Sequence, residues 1–508
     1  MFTKRTALMT GILFVLLFTS ACGAAATQAP ATEAPISDYR PEEIAATEAP
    51  AATEAPSYIP QGPASTEAPA AEAPSTGYFP DQSLPDPHPP IPPTHRQPYD
   101  MFFENYGVNP SIETHDDHLS TFALDVDTSS YTIMRNYLSE GNLPPPDSVR
   151  VEEYVNYFNQ GYPSPPAHQA FGISVDGAPA PFTQSERYQM LRVGIQGYQV
   201  PEHERKDASL TFVIDVSGSM DMDNRLGLVK RSLELLVEQL TPRDTVGIVV
   251  YGSEARIVLD PTSGSDKGRI LDAIYSLHPE GATNAEAGIR LGYQMAMQAF
   301  NPEGINRVIL CSDGVANVGV TGPEAILEEI RHYVDDGYTR VTLTTIGFGM
   351  DNYNDVLMEQ LADNGQGFYA YVDDLREARK LFIDQITGTL QTIAMDAKVQ
   401  VDFNPEVVKR YRLVGFENRA IADTQFRDNT VDAGEIGAGH SVTALYELKL
   451  YPDAYGNVAT VFMRCRILIR ARLSNFPGTS IQTNCEENSN MQILISNDQW
   501  LSPSMPKF

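Results

Sequence analysis

TFVIDVSGSM, residues 211–220, decides how the middle of the chain is read. With the two residues before it, SLTFVIDV (209–216) is a short, nearly continuous apolar run. A strand buried on both faces needs such a run. At Asp215 the apolar character stops, and oxygen side chains alternate: Asp215, Ser217, Ser219, with Gly218 letting the chain turn. Further on, LGLVKRSLELLVEQL (226–240) sets Leu226, Val229, Leu233, Leu236, Val237 and Leu240 on one helical face. Asn224 is available as its cap, and Thr241-Pro242 stops it.

The alternation continues outward. Strands are expected at DTVGIVVYG (244–252), EARIVLD (254–260, on an edge), NRVILCSD (306–313), VTLTTIGFG (341–349) and GFYAYVDD (367–374). Helices are expected at DKGRILDAIYSL (266–277), Ala285–Phe300, 322–336, NDVLMEQLAD (354–363) and, unbroken, 374–390. Strands alternating with helices imply an α/β fold, a doubly wound, mostly parallel sheet covered on both faces. Ligands of such sheets bind beyond the carboxyl ends of the strands, where strand order reverses.

Three loops at that edge carry oxygen ligands: Asp215-Val216-Ser217-Gly218-Ser219, Gly281-Ala282-Thr283-Asn284 and Cys311-Ser312-Asp313-Gly314. Asp215, Ser217, Ser219, Thr283 and Asp313 are all hard donors, with no imidazole or thiolate among them. That set suits Mg²⁺, with Mn²⁺ or Ca²⁺ as alternatives, rather than zinc or copper. Two carboxylates and three hydroxyls leave an octahedral ion a position that a carboxylate of another molecule can fill.

At these residues the chain resembles the von Willebrand factor type A family. Asp-x-Ser-x-Ser, a later Thr and a later Asp, each at a strand end, are the pattern of its metal-ion-dependent adhesion site. The resemblance implies that Ser217, Ser219 and Thr283 coordinate directly, and that Asp215 and Asp313 act largely through water. It also implies that helix 374–390 shifts between closed and open states. LPPPDSVRVEEYVNYF (143–158), NRVILCSDGVANVGVT (306–321), GFGMDNYNDVLMEQLAD (347–363) and VDAGEIGAGHSVTALYEL (431–448) resemble bacterial lipoproteins in which such a domain sits between two modules of its own. The expected layout is an N-terminal accessory module at 115–200, the A-like domain at 205–391 and a β-rich C-terminal module at 392–464. The first flank shows strands near 121–126, 171–176 and 188–196; the second alternates in AKVQVDFNP, RYRLVGFENR and VTALYELKLY.

A near-copy of the opening stretch, TFALDVDTSS, lies at 121–130. Asp125-x-Asp127-x-Ser129 keeps the spacing, but Asp127 stands where the first serine should. One helix follows, with Thr128 or Ser129 as cap and Gly141 as end, and then LPPPD breaks the chain. This reads as a strand running into a helix cap, with a metal role or a phosphatase-type nucleophile at Asp125 as lesser alternatives. No GxSxG, HExxH or GxxxxGK[ST] is present, so no enzyme activity is expected. Lone His440 reads as part of a turn or strand rather than a base, and Cys311 as an inert buried thiol.

The chain has 508 residues and a formal charge of −30, from 66 acidic and 36 basic residues. That surface repels nucleic acid. Lys4 and Arg5, an apolar run and Thr19-Ser20-Ala21-Cys22 form a signal peptide over 1–22 that resembles a lipobox, with Cys22 as the lipid attachment point. The apolar run is short of the ~20 residues of a membrane span. Residues 23–98 repeat TEAP at 32–35, 47–50, 53–56 and 66–69 and have almost nothing to bury, so a disordered stalk is expected. The implied protein is lipid-anchored on the extracytoplasmic face of the cell envelope. It is expected to bind a protein ligand offering an Asp or Glu; a structural scaffold whose metal staples three loops is the rival reading. Past residue 464 the tail 465–508 turns basic, then polar. A shifted frame over CRILIRARL can spell QDPDTREV, so a frameshift is expected to have truncated the last module.

Overall fold

A computed structural model describes residues 101–468, except 167–168, 184, 186, 223, 315–325, 328–329, 332–340 and 351–352, together with the backbone of Asn484–Ser489 and Leu494–Ile495. The leader with Cys22, the stalk, most of the helix expected at 322–336 and most of the tail lie outside the described residues.

The N-terminal flank supplies strand β1 (Leu119–Ala123), helices α1 (Ser129–Ser139) and α2 (Val151–Asn156), and strands β2 (Phe171–Pro179) and β3 (Tyr188–Gly197). The middle of the chain begins with β4 (Ala208–Asp215), α3 (Leu226–Glu238), β5 (Thr245–Tyr251), β6 (Ala255–Ser263), α4 (Lys267–Tyr275) and α5 (Ala285–Gln298). It continues with β7 (Ile305–Ser312), β8 (Thr342–Phe348), α6 (Asp355–Asn364), β9 (Tyr369–Val372), α7 (Leu375–Arg379) and α8 (Ile386–Leu390). The C-terminal flank adds β10 (Thr392–Phe403), β11 (Val408–Val414), β12 (Gly434–Gly437), β13 (Ser441–Leu450) and β14 (Ala459–Ile467).

The middle forms one sheet in the order β9-β8-β7-β4-β5-β6, parallel except for β6, which runs antiparallel on the edge beside β5. Every residue of β4 and β8 is buried, as a two-sided strand requires. Phe212 and Ile214 pack with Leu226, Val229, Leu233 and Leu236 of α3. Val213, pointing the other way, packs with Ile289 and Tyr293 of α5. Each such side chain contributes about 1.5–3 kcal/mol by leaving water. From β4 the chain moves to β5 on one side and later to β7 on the other, so strand order reverses at β4. The loops after β4 and β7 therefore meet there.

Two local expectations change. Helix α3 starts after Arg225, whose side chain makes no cap bond, so Asn224 is not its cap. The helix expected over 374–390 is interrupted: a π-helical turn occupies Lys380–Asp384 between α7 and α8. There the Gln385 N–H donates to the Lys380 carbonyl (2.9 Å), and the Thr389 hydroxyl reaches back to the Leu381 carbonyl (2.8 Å).

The flanks, expected as two modules, share their sheets. Strand β1 pairs with β10, and β3 pairs with β13 along nearly its whole length. One sheet runs β12-β10-β14 with β1 on β10 and Asn484–Ser489 beyond β14; the other runs β11-β13-β3-β2, with Ile112–Glu113 beside β11. Phe122, Phe171, Leu191 and Val193 from the first flank lie in one core with Val399, Val401, Phe403, Tyr446 and Leu448 from the second. The middle domain is thus an insertion into a β structure built by both flanks. Alternation shows that each flank has strands, but it carries no information about partners more than 200 residues away.

Candidate functional site

Asp215 ends β4 and is fully buried. The Ser217 N–H donates to its Oδ1 (2.8 Å), and the Ser312 hydroxyl donates to its Oδ2 (3.0 Å). That turn brings the hydroxyls of Ser217 and Ser219 to 2.9 Å from each other. The second loop is clamped onto the first by main-chain bonds: Gly218 N–H to the Gly281 carbonyl (3.1 Å) and Glu280 N–H to the Val216 carbonyl (2.5 Å). Gly281 has φ of +70°, and a Cβ there would lie 2.3 Å from Ser253 Oγ, so the clamp needs glycine. Asn284 caps α5 through Ala287 N–H (3.2 Å) and donates its own N–H to the Gly252 carbonyl (2.9 Å). Thr283, partly buried, is held between these anchored residues. Asp313, buried at the end of β7, accepts a bond from the Arg225 guanidinium (2.7 Å).

The electrostatics follow from burial. Asp215 is pushed up to about 6, first by desolvation and then by the charge of Asp313. Burial also raises Asp313, opposed by bonds from the Ser219 hydroxyl and Arg225. The Tyr251 phenol is fully buried beside Ser312 and Asp215. Burial and the Asp215 charge push it well up. Two close carboxylates, two touching hydroxyls and a buried phenol form an oxygen-rich pocket, braced on one side by Arg225, whose like charges a small hard cation would relieve. The buried Cys311 thiol, pushed up by desolvation, is no competitor. Arg225, Ser312 and Tyr251 were not singled out as members from the sequence. Ser312 adjoins Asp313 and could have been, but nothing around Arg225 marks it as buried.

The near-copy repeats the turn and diverges around it. The Asp127 N–H donates to Asp125 Oδ1 at 2.8 Å, as in the first turn. Asp125, Asp127 and Glu359 bring carboxylate oxygens within 4.8 Å of one another. Arg419 binds Asp125 (3.1 Å), Glu359 (2.7 Å) and Asp363 (2.9 Å). Arg150 binds Glu153 (3.0 Å), Asp355 (3.0 Å) and Glu359 (2.7 Å). The stretch is therefore an ion-pair junction joining the β flanks to α6. Neither Thr128 nor Ser129 caps α1 by the expected bond. Glu153, from α2, accepts from the Ser130 N–H (2.8 Å) at that helix start. Asp125 is buried, with one oxygen on a main-chain N–H and the other on Arg419, an arrangement unlike an attacking nucleophile. His440 packs beside Gly388, and burial holds its imidazole down at about 4, so it is neutral at physiological pH.

Comparison with known proteins defines the class. Residues 209–384 match the family model of the von Willebrand factor type A domain, residues 97–192 one described as von Willebrand factor, and residues 388–459 one described as the C-terminal part of uncharacterized protein YfbK. The chain carries a von Willebrand factor type A domain followed by a YfbK-like C-terminal module, and such a domain points in general to protein interaction or adhesion. The chain is 42% identical over 355 residues to uncharacterized protein YfbK of Escherichia coli, covering 68% of this chain and 61% of that one. It thus spans about three-fifths of that relative's length. It is 30% identical over 166 residues to human inter-alpha-trypsin inhibitor heavy chain H4, covering 31% of this chain and 17% of that one. A solved structure of a von Willebrand factor type A protein from Catenulispora acidiphila aligns at TM-score 0.39 and 16% identity, covering 61% of this chain and 72% of that one.

Proposed function

We propose that the A-type domain binds a protein partner through a divalent cation, Mg²⁺ by the hardness of the donors, with Mn²⁺ or Ca²⁺ as substitutes. Asp215, Ser217, Ser219, Thr283 and Asp313 hold the ion, and an Asp or Glu of the partner fills its outward position. The observation that carries this reading is the pair of touching hydroxyls, Ser217 and Ser219, set over two buried carboxylates with no soft ligand nearby. The protein is a binding protein rather than an enzyme, fixed to the envelope through a lipid on Cys22 and facing outward. Its charge of −30 argues against nucleic acid as a partner. A metal that only staples the loops is the weaker reading, because main-chain bonds already join the first two loops.

The test is titration calorimetry of metal-stripped protein with Mg²⁺, Mn²⁺ and Ca²⁺, paired with capture of partners from envelope extracts with and without EDTA. Heat of binding for the wild type, its loss in Ser217→Ala and Thr283→Ala, and EDTA-sensitive capture are expected. Capture unchanged by EDTA and by both substitutions would reject cation-mediated recognition.

A further inference from the structure

Arg225 is the last residue before α3 and is only 3% exposed. Its Nη1 donates to Asp313 Oδ2 (2.7 Å) and to the Ser219 carbonyl (2.8 Å), and its Nη2 donates to the Met350 carbonyl. The fold makes room for this side chain: Gly349 has φ of +76°, and a Cβ there would lie 2.6 Å from Arg225 Cγ. A single guanidinium therefore ties together the loops after β4, β7 and β8. The three strands come from separate stretches of sequence, and the ion-pair partner of Arg225 is itself a proposed metal ligand.

We infer that Arg225 sets the preference of the metal site for an anionic outer ligand. The inference rests on the reading of this site as a cation site. Asp215 and Asp313 alone would neutralise a divalent ion, and a neutral loaded site has little reason to prefer a carboxylate over water. The fixed guanidinium beside Asp313 leaves the loaded site with one net positive charge. In buried surroundings that charge is weakly screened, and an incoming carboxylate feels it. The same charge repels the cation, and the Asp313 oxygen bound to Arg225 has less electron density to offer it. Arg225 thus lowers affinity for the metal while raising affinity for the anion that completes its coordination. A residue that merely braced the loops would support both.

The opposed signs make the test. Mn²⁺ is titrated into the full-length, metal-stripped protein, with the free ion followed by electron paramagnetic resonance. Acetate is the anion probe, and its binding is read from the relaxation of ¹³C-acetate by protein-bound Mn²⁺. In Arg225→Gln, Mn²⁺ is expected to bind about tenfold tighter and acetate about tenfold more weakly than in the wild type. Arg225→Lys keeps the charge but not the planar fork, so its acetate affinity should stay within about twofold of the wild type. Parallel weakening of both ligands in Arg225→Gln, or no change in either, overturns the inference. So does a Lys variant that loses acetate binding as the Gln variant does, and this arm stands even if Arg225→Gln fails to fold. A wild type that binds no Mn²⁺ overturns the cation reading itself; a wild type that binds Mn²⁺ and acetate while Arg225→Gln fails the opposed pattern overturns only the role given to Arg225.

Discussion

At the scale of single residues, the site separates side chains that hold the turn from those offered to a ligand. Ser217 does both, through different atoms: its N–H bonds Asp215 Oδ1, while its hydroxyl faces that of Ser219. Ser217→Ala should therefore keep the turn and lose a donor. We expect metal affinity to fall at least tenfold while the melting temperature of the metal-free protein moves by less than about 3 °C, since the main-chain bond from Ser217 to Asp215 that holds the turn is kept. Calorimetric titration and a thermal melt of the same sample check this. A large fall in the apo melting temperature would make Ser217 a structural residue instead. The meeting of the loops that carry Asp215, Ser217, Ser219, Thr283 and Asp313 was legible because oxygen side chains at strand ends leave a spacing in the sequence. Arg225 was not, because a basic residue at a helix start usually faces solvent, and its burial depends on Gly349 and Met350 more than a hundred residues later.

At the scale of elements, periodicity located the strands and helices of the middle domain because each buries a continuous face against a neighbour. Leu233 illustrates the cost of disturbing one: it is fully buried among α3 and strand side chains. Leu233→Ala should lower stability by about 2–5 kcal/mol, measured by urea unfolding. The break in helix 374–390 was not legible. Its apolar pattern is helical throughout, and just past the interruption the segment lies close against a distant part of the chain. At Gly388 a Cβ would lie 2.7 Å from the Ala438 carbonyl oxygen and 2.7 Å from His440 Nε2. The backbone oxygen cannot swing aside, so Gly388→Ala should cost about 1–3 kcal/mol, as overpacked sites do, although alanine is the better helix former. A more stable Gly388→Ala protein in the same assay would show that the contact with the C-terminal flank does not constrain this segment.

At the scale of the whole molecule, the inserted domain is joined to the β flanks by buried charge. Asp125, Asp127 and Glu153 from the first flank, Asp355, Glu359 and Asp363 from α6, and Arg150 and Arg419 meet in one junction. Nothing in TFALDVDTSS announced this, because the partners arrive from residues 150, 355–363 and 419. Carboxylates outnumber guanidiniums, and burial is the first cause that raises Asp127, Glu153, Glu359 and Asp363. Glu153 is pushed up to about 8 and Glu359 to about 7, with Asp125 adding to both and the guanidiniums opposing. The sign follows from proton counts. Between the unfolded value of 4.5 and those raised values, the folded chain holds protons that the unfolded chain has released. This contribution to stability is full below about 4.5 and lost as pH rises through about 7 to 8. Glu153→Gln cannot ionise, keeps an oxygen for the Ser130 N–H, and leaves Arg150 its bonds to Asp355 and Glu359. Urea unfolding at pH 5, 7 and 9 should show wild-type stability falling from pH 5 to pH 7 and on to about pH 8, then levelling off. The Glu153→Gln protein should fall less steeply, gaining on the wild type at pH 9 relative to pH 5. Parallel slopes for the two proteins would place the titrating protons elsewhere, and the junction would then be a set of permanently ionised pairs rather than a proton-sharing one.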